Sequence, residues 1–287
     1  MLTTTPDKQT IEELTSRTRL PADAPSVSVV VPTLNEERNL PIVFGLLPEG
    51  LHEVIVVDGR STDDTVATAR RLRPDVKVVL ETRKGKGAAL QAGFAAATGE
   101  IIVMLDADGS ADPCEIVDYV KALTDGADFA KGSRFLPGGG SSDITALRRA
   151  GNAVLCWVTN QMWGSSYTDL CYGYNAFWAH CLPVMDVDCD GFEVETLINV
   201  RIAEAGLDVA EVPSFEFDRI HGESNLNAFR DGLRILRTMA QERAARRRAR
   251  RSEGQALAAA RRRGTVVALQ TDDELAGELV TADALAA

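Results

Sequence analysis

The chain has 287 residues, and 45% of them are hydrophobic, which is enough to fill one large α/β domain with tails. Its five cysteines are odd in number and form no C-x-x-C pair, which argues against a disulfide framework and favours a reducing, cytoplasmic compartment. A net charge of −11 argues against nucleic acid as the main partner, because counterion release needs a basic face.

The first half of the chain alternates β-branched runs with helical stretches. Residues 1–25 form a polar lead-in without the apolar core of a signal peptide, and one short helix is expected over 11–17. The expected strands and helices then follow in order: strand 27–31, helix 36–47 with Asn35 as its cap, strand 54–57, helix 62–73, strand 76–80, helix 86–97, strand 101–105 and a helix from Pro113. This pattern predicts an α/β fold with a mostly parallel central sheet covered by helices on both faces. Its ligand crevice should lie beyond the carboxyl ends of the strands.

The second half is less regular. A Gly-rich loop at 137–142 precedes the expected elements, which are a helix at 147–163, a helix at 192–205, an extended segment at 209–217 and a helix from about 227 to 251. We expect one domain over 26–240, a basic helical extension over 241–263 and an acidic, disordered tail over 264–287. Residues 243–263 contain nine arginines and a single acid, Glu253. They either contact anionic lipid headgroups or form a solvated helix.

Asp106 and Asp108 come directly after the fourth expected strand. Two carboxylates at i and i+2 can hold one Mg²⁺ or Mn²⁺ and leave positions open for phosphate oxygens. Such an ion would stabilise a departing diphosphate as its charge develops. The alternative is a simple capped turn.

Other polar residues follow the neighbouring strands. Asp58, Asn35 and Glu36 could contact a base or ribose. The alternative for Asp58 is a plain Asx turn, and helix capping is favoured for Asn35 and Glu36 when they are considered alone. Lys86 is expected at the start of a helix, with Gly85 and Gly87 on either side. Glycines let a ligand approach the backbone closely, and a helix N-terminus beside a lysine favours an anion. The P-loop pattern and the G-x-G-x-x-G fingerprint after the first strand are both missing, which weakens the kinase and dehydrogenase hypotheses.

Several loop residues of the irregular half are suited to phosphate. Arg134, Arg149 and Arg219 can bind phosphate in bidentate fashion, or lie solvated at the surface. His221 has no second histidine at metal-ligand spacing. The aromatic and aliphatic stripe of the helix up to Trp163 either packs in the core or lies against a membrane interface or a lipid groove.

The order of these motifs resembles family 2 glycosyltransferases with the GT-A fold, over about 26–237. The closest likeness within that family is to dolichyl- or polyprenyl-phosphate mannosyl- or glucosyltransferases. The supporting segments are VPTLNEE at 31–37, VVD at 56–58, GKG at 85–87, DADG at 106–109, GSRF at 132–135, TDLCYGY at 168–174 and GESN at 222–225, together with Arg149.

The resemblance implies a role for individual residues. The nucleotide-sugar would be bound by Pro32, Asn35, Glu36, Asp58, Lys86, Asp106, Ala107 and Asp108. Asp106 and Asp108 would hold Mg²⁺ or Mn²⁺. The donor diphosphate and the acceptor phosphate would be surrounded by Arg134, Arg149, Arg219 and Ser224, and we expect Asp106, Asp108, Arg134 and Arg219 to be the catalytic residues. Three positions depart from the family pattern, namely Gly59, Ser110 and Asn225.

The expected reaction is inverting transfer of a hexose from a UDP- or GDP-sugar to a polyprenyl or dolichyl phosphate. A phosphomonoester is largely ionised at neutral pH and needs no strong base. A soluble or polysaccharide hydroxyl acceptor is the alternative, and it would need a carboxylate base such as Asp169, Glu193 or Glu195. A nucleotidyltransferase or a non-enzymatic nucleotide-binding module fits less well. We expect a cytoplasmic protein with peripheral contact to the inner membrane face.

Overall fold

The computed structural model describes residues 18–142, 144–222 and 228–262. A seven-stranded sheet with the order β3-β2-β1-β4-β7-β5-β8 forms its centre. These strands are β1 (Val27–Thr33), β2 (Glu53–Asp58), β3 (Lys77–Leu80), β4 (Ile101–Met104), β5 (Phe129–Ser133), β7 (Asn175–Trp178) and β8 (Val209–Pro213), while β6 (Gly140–Ser141) pairs with β9 (Phe215–Glu216). Only β7 runs antiparallel to its neighbours in the seven-stranded sheet. The predicted mostly parallel α/β sheet is confirmed.

Helices cover both faces of the sheet. Their bounds are α1 (Leu40–Gly45), α2 (Thr65–Leu72), α3 (Lys86–Ala96), α4 (Ile116–Thr124), α5 (Ala146–Trp163), α6 (Leu182–Met185), α7 (Val194–Ala205) and α8 (Ala228–Arg262), with short 3₁₀ turns at Pro113–Glu115 and Ala179–Cys181. Along β1, Val29 and Val31 pack into one buried cluster, whereas Val30 packs into another on the opposite face. Burial on both faces explains why the central strands are continuously apolar.

The first two helices are shorter than predicted. α1 begins at Leu40 because Pro41 occupies its first turn, a favoured position for proline. Asn35 lies well before this helix in a left-handed conformation with φ of 61°, so its prediction as the helix cap is wrong. α2 begins at Thr65 rather than residue 62, because the Asp63 carboxylate accepts hydrogen bonds from the N–H and hydroxyl of Thr65.

The last helix is longer than predicted, and α5 has two distinct faces. α8 continues to Arg262. One face of α5, which includes Leu155, Cys156 and Trp163, packs in a core cluster with Met239 of α8. The contacts within the chain divide it into two units, Met1–Glu242 and Arg243–Ala287. The helix predicted at 11–17 and the tail after 264 lie outside the described residues.

Candidate active site

Asp106 and Asp108 lie in the turn after β4, at the carboxyl end of the sheet. The strand itself is fully buried, whereas the Asp106 side chain keeps 37% of its exposure and the Asp108 side chain 11%. Gly109 follows at a φ of 74°, and a Cβ there would lie 2.8 Å from Ile220. The turn therefore presents two carboxylates at the sheet edge where α/β folds bind ligands.

Lys86, the first residue of α3, connects Asp106 with Glu195 of α7. Its Nζ lies 2.7 Å from an oxygen of each carboxylate. Burial disfavours the ammonium, but the two carboxylates outweigh this effect and raise the pKa of Lys86. A fixed positive charge therefore stands beside the first aspartate.

The glycines on either side of Lys86 make room for another part of the backbone. A Cβ on Gly85 would lie 1.9 Å from the carbonyl oxygen of Asp190, and a Cβ on Gly87 would lie 2.1 Å from that of Cys189. The Gly87 N–H also donates to the Asp190 carbonyl at 2.9 Å. The close approach that these glycines permit is thus made by the segment leading to α7, and not by a ligand as their sequence suggested.

Both oxygens of Asp108 have partners. Oδ1 accepts hydrogen bonds from the Ser110 N–H at 3.0 Å and from its hydroxyl at 2.7 Å. Oδ2 lies 2.8 Å from the Arg219 guanidinium. The segment bearing Arg219 is held over the turn, because the Phe217 N–H donates to the Ser110 carbonyl at 2.7 Å.

Arg134 is fixed by two acids at the wall of the cleft. Its guanidinium donates to both oxygens of Asp169, at 2.7 and 3.0 Å, and to Glu216 at 2.9 Å. Burial would raise the pKa of the Asp169 carboxyl, but the hydrogen bonds from Arg134 and the charge of Lys131 outweigh it and lower that pKa. Asp169 has no exposed side-chain surface. It holds Arg134 in place, which argues against its use as a base.

Asp58 and Asn35 shape the loops after β2 and β1. The Asp58 carboxylate accepts from the N–H groups of Arg60 and Ser61, each at 3.1 Å. The Asn35 side-chain oxygen accepts from the Thr62 N–H at 2.7 Å. For Asp58 these bonds correspond to the turn-forming alternative, whereas Asn35 connects two loops and does not cap the helix. The nucleotide contacts of both residues remain predictions.

Glu36 faces the cleft beside these loops. Its N–H donates to the Thr65 hydroxyl at 2.8 Å, and its carboxylate accepts from the Asn39 amide at 2.6 Å. Burial raises the pKa of Glu36, and the hydrogen bond from Asn39 partly offsets this. Its position is compatible with the predicted contact to a base or ribose.

The site lies in a cleft of about 1240 Å³. Ligand pockets for a single small molecule typically have ~300–1,000 Å³, so this cleft can hold a donor and part of an acceptor. The wall nearest the sheet is polar and charged. The part formed by α5, α8 and the loops near them contributes the apolar residues Ile144, Leu147, Val154, Phe192, Phe217, Ile235 and Leu236, together with the charged residues Arg148, Glu193, Asp218 and Arg234.

Most of the predicted site residues line this cleft. They are Pro32, Glu36, Lys86, Asp106, Ala107, Asp108, Arg134 and Arg219. Asn35, Asp58 and Arg149 are not among the lining residues, and the Arg149 guanidinium lies over the ring of Phe135. Ser224 lies outside the described residues.

Sequence reasoning missed three supporting residues. Glu216 is a partner of Arg134, and Ser110 is a partner of Asp108. Lys131 lies fully buried beneath Arg134 and donates to the carbonyl oxygens of Gly132 and Tyr172 at 3.0 and 2.7 Å. Burial lowers the pKa of Lys131, although the charge of Asp169 opposes this effect. The segment Phe129–Ser133 was not recognised as a strand in the sequence, so nothing there indicated a buried lysine.

The donor set at the Asp106–Asp108 turn fits a hard divalent cation only in part. Carboxylate oxygens are ligands that Mg²⁺ and Mn²⁺ accept, and the two side chains share one edge of the cleft. Within the described ranges, no group of three or more His, Cys, Asp or Glu side chains is arranged to hold a metal ion. A cation here would therefore need further oxygens, which a diphosphate or water can supply.

Comparison with known proteins gives the same family. The model of glycosyl transferase family 2 matches residues 28–181. The polyprenol monophosphomannose synthase of Mycolicibacterium smegmatis is 34% identical over 212 residues, which cover 69% of this chain and 80% of the relative. The undecaprenyl-phosphate mannosyltransferase of Micrococcus luteus is 32% identical over 217 residues, which cover 70% and 87%.

A solved structure shows the same fold. Glucosyl-3-phosphoglycerate synthase from Mycobacterium tuberculosis, in complex with Mn²⁺, UDP-glucose and glycerol 3-phosphate, matches with a TM-score of 0.59 and 25% identity. The match covers 84% of this chain and 86% of the solved one. The fold, the match to the family model and the similar relatives agree, and the chain belongs to glycosyl transferase family 2 as a glycosyltransferase with the GT-A fold.

Proposed function

We propose that this chain transfers a hexose, with inversion, from a UDP- or GDP-sugar to a polyprenyl or dolichyl phosphate, assisted by Mg²⁺ or Mn²⁺. The observation that carries the proposal is that two kinds of residue line one cleft. Asp106, Asp108, Lys86 and Arg219 gather at the sheet edge, and apolar residues of α5, α8 and the loops near them line the same cleft. Two of the similar relatives are named for mannose transfer to polyprenol or undecaprenyl phosphate.

The polar wall suits the donor. Asp106 and Asp108 would hold the divalent cation, which neutralises charge on the leaving diphosphate when it is bound. Lys86 keeps its proton at every physiological pH, because its pKa is raised, and so supplies a constant positive charge beside the diphosphate. Arg219 is 31% exposed and reaches the same place from the segment after β9. A guanidinium can bind two phosphate oxygens at once.

The apolar wall suits a lipid acceptor. Leu147 and Val154 of α5 and Leu236 of α8 line the cleft and are also substantially exposed, so the apolar surface continues out of the cleft. An isoprenoid chain could lie there with its phosphate directed towards Arg134. Arg149 and Ser224 remain proposed contacts for the same phosphate.

The chemistry then needs little proton transfer. A phosphate oxygen of the acceptor forms a bond to the anomeric carbon, and the bond from that carbon to the donor diphosphate breaks with its electron pair. Because the acceptor is already an anion, the chain has only to orient it and to screen repulsion between two anions. Arg134 is held by Asp169 and Glu216 in a fixed orientation suited to that task.

The proposal is tested with labelled UDP- and GDP-hexoses and a polyprenyl phosphate in detergent. The label should move into the organic phase with the lipid. Asp108→Asn should lower turnover by about a hundredfold or more, as for other groups that stabilise developing charge. Asp118→Asn, on the exposed surface of α4, is the matched control and should keep full activity. Label that stays in the aqueous phase under all conditions would reject the lipid acceptor.

A soluble acceptor is the second candidate function. The solved relative is named for glucosyl transfer to phosphoglycerate. In this chain Glu195 lines the cleft with one carboxylate oxygen bound to Lys86, and it is the best placed of the acids considered as a base for a hydroxyl. Soluble phosphorylated and unphosphorylated alcohols are therefore offered in the same assay. Labelled product in water, lost in Glu195→Gln, would favour this candidate.

The proposed lipid acceptor also requires the protein to reach a membrane. None of the described helices is both long and apolar enough to cross a bilayer. We therefore propose peripheral contact with the membrane that holds the lipid phosphate.

A further inference from the structure

The outer face of α5 is unusually apolar for an exposed helix. Leu147, Val154 and Trp157 retain 60%, 59% and 65% of their exposure. Their spacing of seven and three residues places them on one side of the helix. The opposite side carries Leu155, Cys156 and Trp163 into the core. The helix is therefore apolar on both sides, and the described residues cover only the side that faces the core.

The neighbouring part of α8 extends this apolar face. Ile235 and Met239 pack in or against the same core cluster as Leu155 of α5. Leu233 and Leu236 on α8 are 70% and 44% exposed. Leu236, like Leu147 and Val154, also lines the cleft. We call Leu147, Val154, Trp157, Leu233 and Leu236 the apolar rim.

The charge near the apolar rim is opposite to that of the whole chain. Helix α5 contains Arg148 and Arg149 and no acid, although the chain as a whole carries a net charge of −11. On α8, Arg234 and Arg237 accompany the exposed leucines, and Arg234 lies 3.5 Å from the Glu193 carboxylate. The sequence of α8 up to residue 242 contains two acids, Asp231 and Glu242, and Glu242 pairs with Arg201 at 3.1 Å. An apolar stripe flanked by arginines matches the interface of an anionic bilayer, where aromatic and aliphatic groups insert and arginines reach the headgroups.

We propose that the apolar rim docks on an anionic phospholipid surface, with Trp157 inserted at the level of the headgroups. This places the mouth of the cleft against the bilayer, because three rim residues line the cleft. The proposed function gives this docking its purpose, which is to let a lipid phosphate enter the cleft from the membrane. Binding to the surface itself needs neither donor nor acceptor.

The first test uses the full chain and vesicles without donor or polyprenyl phosphate. The protein should co-sediment with vesicles of phosphatidylcholine and phosphatidylglycerol, and high salt should weaken this binding. The chain offers a direct spectroscopic probe, because Trp157 is exposed whereas Trp163 is buried and Trp178 half-buried. Brominated lipids should quench the emission of the wild type and leave that of Trp157→Phe unquenched. A wild type that is not quenched, or that fails to bind these vesicles at low salt, overturns the proposal.

Variants separate the apolar rim from the other basic parts of the chain. The triple change Leu147→Ser, Val154→Ser and Trp157→Ser should lower vesicle partitioning by about tenfold or more, because interfacial binding scales with the apolar area inserted. The control variant Leu72→Ser with Leu80→Ser removes two exposed leucines that are not part of the apolar rim. It should bind vesicles as the wild type does. Thermal unfolding checks that both variants are folded.

The outcome of the triple variant decides the assignment. If it binds vesicles as tightly as the wild type, the contact belongs to another part of the chain, such as the arginines after residue 242, and the docking face is wrong. If vesicles bind as expected but no label reaches the lipid in the transfer assay, the docking face stands and the proposed acceptor fails. The two ideas are therefore tested separately.

Discussion

Each aspartate of the Asp106–Asp108 turn already has a cationic partner within the chain. Lys86 lies at Asp106 and is also held by Glu195, with only 11% of its side chain exposed. Arg219 lies at Asp108 on a segment between elements and is more exposed. A divalent cation that approaches Asp108 must therefore compete with Arg219. A bound diphosphate would give Arg219 another partner, so we expect the proposed metal and nucleotide to bind cooperatively.

Arg219→Gln should separate these two effects. Without nucleotide, Mn²⁺ should bind the variant more tightly, by about fivefold or more, because the competing guanidinium is gone. The nucleotide should bind more weakly, because a phosphate partner is lost. Electron paramagnetic resonance of free Mn²⁺, with and without UDP or GDP, measures both.

The controls for this prediction keep a charge or remove an unrelated one. Arg219→Lys retains a cation and should lie between the wild type and Arg219→Gln. Arg73→Gln breaks a pair with Asp75 outside the cleft and should leave both affinities unchanged. Unaltered Mn²⁺ affinity in Arg219→Gln would contradict the competition and leave Arg219 as a phosphate ligand alone.

Asp169 should be the acid most important for stability. It lies fully buried between Arg134 and Lys131, so Asp169→Asn leaves two buried cations poorly compensated. The expected loss is about 3–5 kcal/mol of unfolding free energy at neutral pH. Urea unfolding measures it, with Asp125→Asn in an exposed pair with Lys121 as the control, which should change by only ~0.5 kcal/mol.

The pH dependence gives this prediction a second readout. A carboxyl whose pKa is lowered in the folded state adds stability at pH values above its unfolded pKa of about 3.9. That contribution disappears as the pH falls through the lowered folded value. The wild type should therefore lose more stability than Asp169→Asn between neutral and acid pH. Equal slopes would show that Asp169 is not ionised in the folded protein.

At the scale of elements, the sequence pattern predicted the four strands that form one parallel part of the sheet. The strands β1, β2, β3 and β4 have β-branched runs of the kind that such sheets require. β5 and β7 were missed, because β5 contains Lys131 and Gly132 within a buried strand and β7 is a four-residue antiparallel strand. Their polar and short patterns look like loops when the chain is read alone.

The parts of the candidate site that follow a recognisable strand could be placed from the sequence, whereas its long-range contacts could not. Asp106 and Asp108 follow a recognisable strand, so their place at the sheet edge follows from topology. The partners of Arg134 do not follow from local pattern, because Asp169 lies 35 residues away and Glu216 lies 82 residues away. The sequence also predicted that an anion approaches Gly85 and Gly87. The fold instead brings the distant backbone of residues 189–190 there, which the local sequence cannot reveal.

Gly87 predicts a measurable cost at the start of α3. A methyl group there would lie 2.1 Å from the Cys189 carbonyl, so Gly87→Ala must displace the backbone that leads to Glu195. The expected loss is about 1–3 kcal/mol or more of stability, together with lower activity. Gly45→Ala, where a Cβ has no atom within 4 Å, is the matched control in a helix and should be neutral or stabilising. A Gly87→Ala variant as stable as Gly45→Ala would mean that the α3 and 189–191 segments are not packed as described.

At the scale of the whole molecule, the cleft joins two kinds of surface that the chain builds separately. The parallel strands bring carboxylates and cations to one edge, whereas α5 and α8 supply an apolar wall from the irregular half. Neither wall alone specifies a lipid-phosphate glycosyltransferase. Their presence in one cleft is what favours a donor that is charged and an acceptor that is both charged and apolar.

Nucleotide binding should therefore stabilise the whole fold, and should do so through the metal. A ligand at 100 times its Kd adds about 2.7 kcal/mol, which raises the unfolding temperature of a chain of this size by roughly 5–10 °C. UDP and GDP are compared with and without Mn²⁺ by thermal shift, and the larger shift identifies the base. Asp108→Asn should lose the part that depends on Mn²⁺, whereas the exposed Asp118→Asn should keep it. An equal shift with and without Mn²⁺ in the wild type would mean that the nucleotide binds without the proposed metal, which would contradict the role proposed for Asp106 and Asp108.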